Sequence, residues 1–353
     1  MSLPIAPPSP SIPAVIFSVE VLEERLSEPT PAVVEALARF DGDLLVLGVG
    51  GKMGPTLARM AVRALRLAGS SRRVIGVSRF SDGKLERQLN AQGVETIRAD
   101  LLDHQQLARL PEAPNVVCMT GMKFGSSGQQ PLTWAMNVYL PGMIAERFAR
   151  SRIVVFSTGN VYPLVRLASG GSREEDELGP VGEYAVTALG RERIFSHFSA
   201  KLGFPLTIVR LNYANELRYG VLVDLARAVL AGEPINLAMG NFNAIWQGDA
   251  NAMALASLAL ASTPPLVFNL AGPETLSVRR VCEQFGRLLD RPVQFVGREA
   301  DDALLSNSQR AMQLFGYPRV SVGQMIEWIA DWVSRGGASL GKPTHFETRD
   351  GRF

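Results

Sequence analysis

Short apolar runs alternate with longer amphipathic stretches through the first two thirds of the chain. The apolar runs predict buried β-strands, and they cover residues 43–48, 74–78, 94–98, 115–120, 153–157 and 206–211. The stretches between them carry apolar residues at helical spacing and predict helices over 53–67, 83–92, 131–150 and 183–201. Strands that alternate with helices build a parallel sheet with right-handed crossovers. The pattern therefore predicts an α/β fold with a doubly wound, Rossmann-like parallel sheet.

The two ends of the chain depart from this regular pattern. Residues 1–40 form a predicted N-terminal extension, with a proline-rich start and two short helices over 19–26 and 31–40. Residues 41–212 form the predicted dinucleotide-binding domain. Residues 213–335 predict a smaller mixed α/β C-terminal lobe that binds substrate and shares elements with the first domain. Its predicted helices lie at 216–231, 248–262, 275–289 and 321–335, and one of its short strands lies at 267–270. The glycine-rich, polar segment 336–353 is predicted to be a surface tail.

A glycine-rich turn connects the first predicted strand to the first long helix. Gly48, Gly51 and Gly54 have the spacing G-x-x-G-x-x-G, with Gly50, Lys52 and Met53 between them. Glycines here permit a tight turn, close approach of the backbone to a pyrophosphate, and close packing of helix on strand. The N-terminus of the helix offers free N–H groups to phosphates. A glycine triplet alone also fits a plain tight turn, but the strand–turn–helix context favours a dinucleotide site.

The end of the second strand indicates which dinucleotide is bound. A carboxylate at that position binds the ribose 2′-hydroxyl of NAD, whereas this chain has Ser78 and Arg79. Arginine pairs well with a 2′-phosphate, and Lys52 in the turn adds a second positive charge. The sequence therefore favours NADP over NAD. The alternative is that Arg79 is an ordinary solvated surface residue.

Composition narrows the class of protein further. The net charge of +2 over 353 residues gives no reason to expect a nucleic-acid or membrane-surface partner. No apolar run reaches the length of about 18 residues that a membrane span needs, and the N-terminal segment does not have the pattern of a signal peptide. Cys118 and Cys282 are expected to be free thiols, which fits a cytoplasmic protein. The three histidines lack metal-ligand spacing, so we expect no metal site.

Several motifs in chain order resemble one family, the extended short-chain dehydrogenases/reductases, also called NAD-dependent epimerases/dehydratases. The resemblance covers about residues 43–335. Its carriers are the glycine turn, Asp100-Leu101 in RADLLD, Thr120-Gly121-Met122-Lys123 after the fourth strand, Asn137 in WAMNVYLPG, Ser157-Thr158 in VVFSTGNVYP, and Tyr184. Arg210-Leu211-Asn212 and FNLAGPETLSVRRV at 268–281 extend it into the C-terminal lobe. Apart from Ser157 and Thr158, the residues named in these motifs up to Tyr184 are expected to bind the cofactor, together with Ser78 and Arg79.

The resemblance implies an NAD(P)-dependent oxidoreductase, epimerase or dehydratase that acts on a hydroxyl or carbonyl of a sugar-like or sugar-acid-like small molecule. It makes Tyr184 the general acid/base, and Ser157 or Thr158 the group that orients the reacting oxygen. The expected substrate-binding residues are Ser157, Asn160, Asn212, Trp246 and Gln247. Alternatively, Asn160 only forms the turn after the fifth strand, and Trp246 packs in the core. The resemblance also implies a homodimer, paired through the helix of Tyr184 and the long helix before it.

One departure from the family's pattern concerns the active pair Tyr-x-x-x-Lys. The lysine position holds Ala188, and the missing cation normally lowers the pKa of the tyrosine. In a first hypothesis another cation substitutes. Lys123 is the candidate, because the loop after the fourth strand should border the nicotinamide ribose. Arg191 is the alternative, but it lies about two helical turns from Tyr184 and is expected to be too far away. In a second, Tyr184 only donates a hydrogen bond. In a third, the chain is a non-catalytic dinucleotide-binding sensor or partner subunit.

Overall fold

Seven parallel strands form the central sheet of the computed structural model, which describes residues 15–81, 83–122 and 128–351. They are β1 (Leu44–Leu47), β2 (Val74–Ser78), β3 (Glu95–Arg98), β4 (Asn115–Cys118), β5 (Arg152–Thr158), β6 (Leu206–Leu211) and β7 (Leu266–Leu270). Their spatial order is β7-β6-β5-β4-β1-β2-β3. The chain therefore reverses its direction of winding between β1 and β4, where doubly wound sheets open a crevice at the carboxyl ends of the strands.

Helices cover both faces of this sheet and build the C-terminal lobe. The helices that belong to the sheet domain are α3 (Gly54–Leu67), α4 (Lys84–Ala91), α5 (His104–Ala108), α6 (Gln130–Trp134), α7 (Leu140–Arg147) and α8 (Glu183–Leu202). A π-helical turn, Ala135–Tyr139, joins α6 to α7, so the single helix predicted over 131–150 is interrupted. None of the described helices is long and apolar enough to cross a membrane. The predicted doubly wound sheet is confirmed.

The helices that flank the sheet domain in sequence are α1 (Val19–Leu26), α2 (Pro31–Ala38), α9 (Val221–Ala231), α10 (Gln247–Ala256), α11 (Val278–Leu289), α12 (Gln309–Phe315) and α13 (Val322–Ser334). Two-residue strands connect them at Val165–Arg166, Ala214–Asn215, Ile235–Asn236, Asn241–Phe242, Ile245–Trp246, Leu276–Ser277, Phe295–Val296 and Asp302–Ala303. Short 3₁₀ turns lie at Gly159–Val161, Leu167–Ser169 and Ser257–Leu260.

Each face of the sheet has its own apolar core, and the C-terminal lobe has a third. Val46 and Val117 point to one face of the sheet, and their neighbours Leu47 and Cys118 point to the other. This alternation follows from the pleat of the strands. Because both faces are covered, β1, β2 and β4 at the centre of the sheet are largely apolar, which explains their short apolar runs in the sequence. The edge strand β3 instead carries Glu95 and Arg98 and is partly exposed.

The C-terminal lobe shares structure with the rest of the chain in three places. Strand β7, which was predicted as part of this lobe, pairs in parallel with β6 and extends the main sheet. Leu22 and Leu26 of α1 are buried in the core of the lobe. Phe346, from the predicted surface tail, also packs in that core against Phe242. The prediction of a surface tail is therefore wrong for this segment, because an aromatic side chain anchors it.

Candidate functional site

The glycine turn lies between β1 and α3, and the backbone of the protein dictates two of its glycines. Gly48 has a φ of +81°, in the left-handed region that residues with a Cβ rarely adopt. A Cβ on Gly54 would lie 2.3 Å from the carbonyl oxygen of Val49, because the start of α3 packs directly on the turn. Both glycines are therefore required by the fold itself.

The fold gives no such reason for Gly51. A Cβ there would meet only the carbonyl oxygen of Gly48, at an ordinary contact distance of 3.5 Å. A Cβ on neighbouring Gly50 would instead lie 2.5 Å from the Ser78 hydroxyl oxygen. The turn is thus open on the side of Gly51, at the N-terminus of a 14-residue helix. An open backbone cradle at a helix N-terminus fits the pyrophosphate of a dinucleotide.

A cavity of about 320 Å³ begins at this turn and extends along the carboxyl ends of the strands to the C-terminal lobe. Many of the residues predicted for the site line it. From the glycine turn these are Gly48, Gly51, Lys52, Met53 and Gly54. From the ends of β4 and β5 they are Thr120, Gly121, Ser157, Thr158 and Asn160. From α8, the end of β6 and the start of α10 they are Tyr184, Asn212 and Gln247.

Other predicted residues lie off the cavity wall. Gly50, Ser78, Arg79, Asp100, Leu101, Met122, Asn137 and Trp246 are not part of the lining. Arg79 is exposed. The Asp100 carboxylate accepts a hydrogen bond from the Leu102 amide, 3.0 Å away, and so stabilises its own turn. Lys123 lies outside the described residues.

Trp246 is the clearest correction to the predicted substrate site. Its side chain is buried in the core of the C-terminal lobe, edge to face with Trp328 at 5.4 Å between ring centroids. Neighbouring Gln247 does reach the cavity, and its amide donates a hydrogen bond to Thr56 Oγ1 at 3.2 Å. Core packing was the alternative that the sequence allowed for Trp246, and this alternative is the one observed.

Tyr184 lies in the first turn of α8, beside the cavity. Its hydroxyl is hydrogen-bonded to Thr158, at the end of β5. Burial raises the pKa of the Tyr184 phenol, while the positive charge of Arg191 and the hydrogen bond to Thr158 act in the opposite direction. The raised pKa keeps the phenol protonated near neutral pH. Tyr184 is thus placed to give a proton to an oxygen atom in the cavity.

Arg191 lies in the wall of the same cavity, contrary to the expectation that it is too far from Tyr184. Its guanidinium is buried and donates to the carbonyl oxygen of Phe156 and to Asn137 Oδ1, both at 2.8 Å. Helical side chains lean toward the N-terminus of their helix. The long arginine side chain therefore covers much of the two turns that separate the backbones. Ala188, at the family's lysine position, is buried against Val161 and Tyr162.

Asn137 organises the wall behind the cavity. Its side-chain oxygen accepts from the Met122 amide and from Arg191, each at 2.8 Å. Its amide nitrogen donates to the Met122 carbonyl at 3.0 Å and to the Thr187 hydroxyl at 2.9 Å. The π-helical turn around it directs the side chain inward, as π-bulges do at many functional sites. Asn137 thus positions the loop after β4 and the arginine of α8.

Ser157 borders the cavity, but its hydroxyl donates to the buried carboxylate of Glu192. Glu192 also forms an ion pair with Arg210, with 2.8 Å between Oε2 and Nη2. Arg210 in turn donates to the Tyr162 hydroxyl at 2.7 Å. Burial raises the pKa of Tyr162 to about 12, so this phenol is neutral. Ser157 therefore belongs to a buried polar network, and Thr158 is the hydroxyl that contacts Tyr184.

The substrate side of the cavity contains residues that sequence reasoning missed. Tyr213 has a φ of +46°, which is unusual for a side chain of this size, and Tyr219 lies beneath the Lys52 ammonium group. The position of Tyr213 after Asn212, at the carboxyl end of β6, was an available signal. No local pattern marked Lys342 and Thr344 of the C-terminal segment. Thr344 is fixed there by its hydroxyl, which donates to Asp224 at 2.7 Å.

Comparisons with known proteins agree with this architecture. The sequence model of the NAD dependent epimerase/dehydratase family matches residues 44–241. No curated protein matches the sequence. Among solved structures, MoeE5 in complex with UDP-glucose and NAD is 22% identical, with a TM-score of 0.66 over 84% of this chain and 99% of that one.

Two further structures have the same fold. UDP-glucuronic acid 4-epimerase from Bacillus cereus, in complex with NAD, is 19% identical, with a TM-score of 0.66 over 83% of this chain and 96% of that one. dTDP-glucose 4,6-dehydratase from Bacillus anthracis, also in complex with NAD, is 15% identical, with a TM-score of 0.69 over 84% and 97% of the two chains. All three are covered almost completely, whereas part of this chain has no counterpart in them.

The buried Glu192–Arg210 pair gives a prediction about stability. Glu192→Gln leaves the Arg210 guanidinium buried without its counter-charge. The free energy of unfolding should therefore fall by about 3–5 kcal/mol, as measured by urea denaturation. Glu35→Gln is the control, because it breaks the ion pair with Arg39 that is exposed on both sides, and it should have no measurable effect. Equal losses in the two variants would contradict the assignment.

Proposed function

We propose a function on the premise that this chain belongs to the NAD-dependent epimerase/dehydratase family, whose model matches residues 44–241 of its 353 residues. In this proposal the chain is an NAD(P)-dependent enzyme that oxidises or reduces a carbon bearing a hydroxyl or carbonyl group. Its substrate is a sugar-like or sugar-acid-like small molecule. If the oxidised intermediate stays bound, the outcome is epimerisation or dehydration; otherwise it is net oxidation or reduction.

One observation carries this proposal. The Tyr184 phenol, hydrogen-bonded to Thr158, borders the same cavity as the open glycine turn at Gly51. A dinucleotide whose pyrophosphate lies on the turn has its reactive ring further along that cavity, where proton transfer takes place. The complexes of UDP-glucose with MoeE5 and of NAD with UDP-glucuronic acid 4-epimerase support a sugar-like substrate and a nicotinamide cofactor.

The residues of this chain divide the work at the cavity. The N-terminus of α3 and the backbone at Gly51 hold the phosphates, with Lys52 adding positive charge. A bound nicotinamide supplies the hydride acceptor or donor. Tyr184 moves a proton to or from the reacting oxygen, and Thr158 orients that oxygen. Asn212 and Gln247 offer amide groups to the hydroxyls of the substrate.

The preference for NADP remains a proposal that depends on Arg79. This side chain is exposed directly after β2, where a carboxylate would select NAD. A guanidinium at that position has the geometry to bind a 2′-phosphate.

The cofactor preference has a direct test by calorimetric titration. The dissociation constant for NADP should be lower than that for NAD, and Arg79→Ala should reduce the difference. Arg72→Ala, at the opposite end of β2, should leave it unchanged. Tighter binding of NAD by the unaltered chain would overturn the preference.

We also propose a homodimer. A largely apolar groove between α6, the π-helical turn and α8 is lined by Trp134, Val138, Tyr139, Ile194 and Phe198. Trp134 and Tyr139 are 44% and 55% exposed, and large aromatic side chains that remain exposed on one face indicate an interface. A molar mass of a single chain in light scattering would contradict the homodimer.

A second candidate function is dinucleotide binding without catalysis. It is favoured by Ala188 in place of the lysine, together with burial that raises the pKa of Tyr184. A phenol that stays protonated is a poor base. In this case the chain acts as a sensor or a partner subunit.

Gly51 and Gly54 separate cofactor binding from folding. Gly51→Ala places its Cβ at an ordinary contact distance inside the protein, so the melting temperature should be retained. Affinity for the dinucleotide should fall at least about tenfold, which is about 1.4 kcal/mol, because the Cβ blocks the cradle. Gly54→Ala should instead lower the stability by about 1–3 kcal/mol, because its Cβ collides with backbone. Unchanged affinity in Gly51→Ala would show that no dinucleotide binds at the turn.

Tyr184→Phe separates the two candidate functions. The ring stays and the hydroxyl is lost, so turnover should fall about 100-fold or more while affinity for the dinucleotide is retained. The measurements are the absorbance of reduced nicotinamide and the conversion of substrate to product by NMR, each with a panel of sugars and sugar nucleotides. Tyr317→Phe, at a tyrosine that is 75% exposed and far along the chain from the site, is the control and should be fully active. If the unaltered chain neither changes this absorbance nor converts any of these substrates, the non-catalytic candidate is favoured.

A further inference from the structure

Arg191 and Arg210 are both buried arginines, but the groups that surround their charges differ. Arg210 is paired with the carboxylate of Glu192. Arg191 is 5% exposed, and within the described part of the chain its hydrogen-bond acceptors are two neutral oxygens, on Phe156 and Asn137. No carboxylate of the described residues forms an ion pair with it, and its Nε has no hydrogen-bond partner there. Arg191 is therefore a buried positive charge without a counter-charge from those residues.

The surrounding structure makes room for this charge. Gly121, in the loop after β4, has a φ of +158°, and a Cβ at this position would lie 2.3 Å from Nη2 of Arg191. A residue with a side chain at 121 would thus displace the guanidinium. Asn137 holds both the guanidinium and the next residue of that loop, Met122. Two separate segments of the chain are therefore shaped around Arg191.

A buried, unpaired cation is unfavourable, so it is stable in the fold only if its hydrogen bonds or a nearby negative charge offset the loss of hydration. The cavity beside it is the place where that negative charge arises. Tyr184 lies on the same helix and borders the same cavity, and its phenol becomes an anion when it loses its proton. The positive charge of Arg191 acts on this phenol and favours its ionised form.

We infer that Arg191 replaces the lysine that Ala188 lacks, and that its guanidinium stabilises the Tyr184 phenolate as a positioning residue for proton transfer. The inference rests on the proposed function and names Arg191, in place of Lys123, as the substituting cation. In an oxidation, the proton of the substrate hydroxyl would move to the phenolate oxygen of Tyr184, and a bound nicotinamide would supply the acceptor for the hydride of the same carbon. In a reduction, the proton and the hydride would move in the opposite direction. Arg191 keeps its proton throughout, because guanidinium is not deprotonated in proteins.

Other groups also face the Tyr184 phenol, and they are relevant to any measurement of pH dependence. Tyr213 and Tyr219 interact with it from the C-terminal lobe. Burial raises the pKa of each of these two phenols, as it does for Tyr184. Lys52 and Lys342 line the cavity from the glycine turn and from the C-terminal segment. Their charges are present in every variant described below, so differences between variants report on Arg191.

The test compares Arg191→Gln with Arg191→Lys. Both variants shorten the side chain and keep a hydrogen-bond donor, but only lysine keeps the charge. A fluorinated tyrosine incorporated at position 184 allows the phenol to be titrated by ¹⁹F NMR without a substrate. In Arg191→Gln its midpoint should move to higher pH, because the phenolate loses its cation. In Arg191→Lys the midpoint should stay close to that of the unaltered chain.

Turnover gives a second readout if a substrate is found. The limb of the kcat/KM profile that reports the tyrosine should move to higher pH in Arg191→Gln. The value of kcat/KM at neutral pH should fall at least about tenfold, because a shift of about one unit in the pKa of the tyrosine lowers its ionised fraction by a factor of about ten. Arg193→Gln, two residues further along α8 and exposed, is the matched control and should change neither readout.

Three outcomes would overturn the inference. They are an unchanged titration of position 184 in Arg191→Gln, equal shifts in Arg191→Gln and Arg191→Lys, and a shift in Lys123→Ala that exceeds the shift in Arg191→Gln. Calorimetric titration with NADP and NAD, and thermal melting, confirm that each variant is folded. A chain without turnover on any sugar would count against the proposed function alone, because the NMR titration needs no substrate.

Discussion

One backbone contact determines where the rest of the site lies. The start of α3 packs so closely on the turn after β1 that only a glycine fits at position 54, opposite the Val49 carbonyl. This contact places the N-terminus of the helix at the point where the sheet changes its direction of winding. The partial positive charge of the helix therefore points into the crevice between β1 and β4. The loops that follow β4, β5 and β6 enter the same crevice, because the seven strands of the main sheet are parallel.

The two buried arginines illustrate how the same residue type serves different ends. Arg210, with Glu192, Ser157 and Tyr162, forms a closed polar network whose charges cancel. This network ties β5 and β6 to α8. Arg191 is held by neutral oxygens alone among the described residues, so its field extends into the cavity. At low effective dielectric a charge of this kind acts strongly on its neighbours.

The C-terminal segment is the part of the chain where the site and the periphery of the fold meet. Thr344 donates to the half-buried Asp224, and Arg349 donates to the carbonyl oxygens of Ala238 and Asp302. Between the sheet domain and this segment lies a cavity that also includes Lys342. The substrate side of the site is thus built from elements that are distant from one another in sequence.

The family resemblance assigned Tyr184 to the site, while the alternation of strands and helices, the glycine turn and the position of Thr158 at the end of a strand follow from the pattern of residues along the chain. These features are local, because residues that are close together in the sequence determine backbone periodicity and turn chemistry. Tertiary packing adds four features: Arg191 reaches the cavity, Ser157 donates to Glu192, Trp246 is a core residue, and β7 joins the main sheet. Each of these depends on how far a side chain reaches and on which distant segments pack together, and neither is encoded in the spacing of residues along the chain.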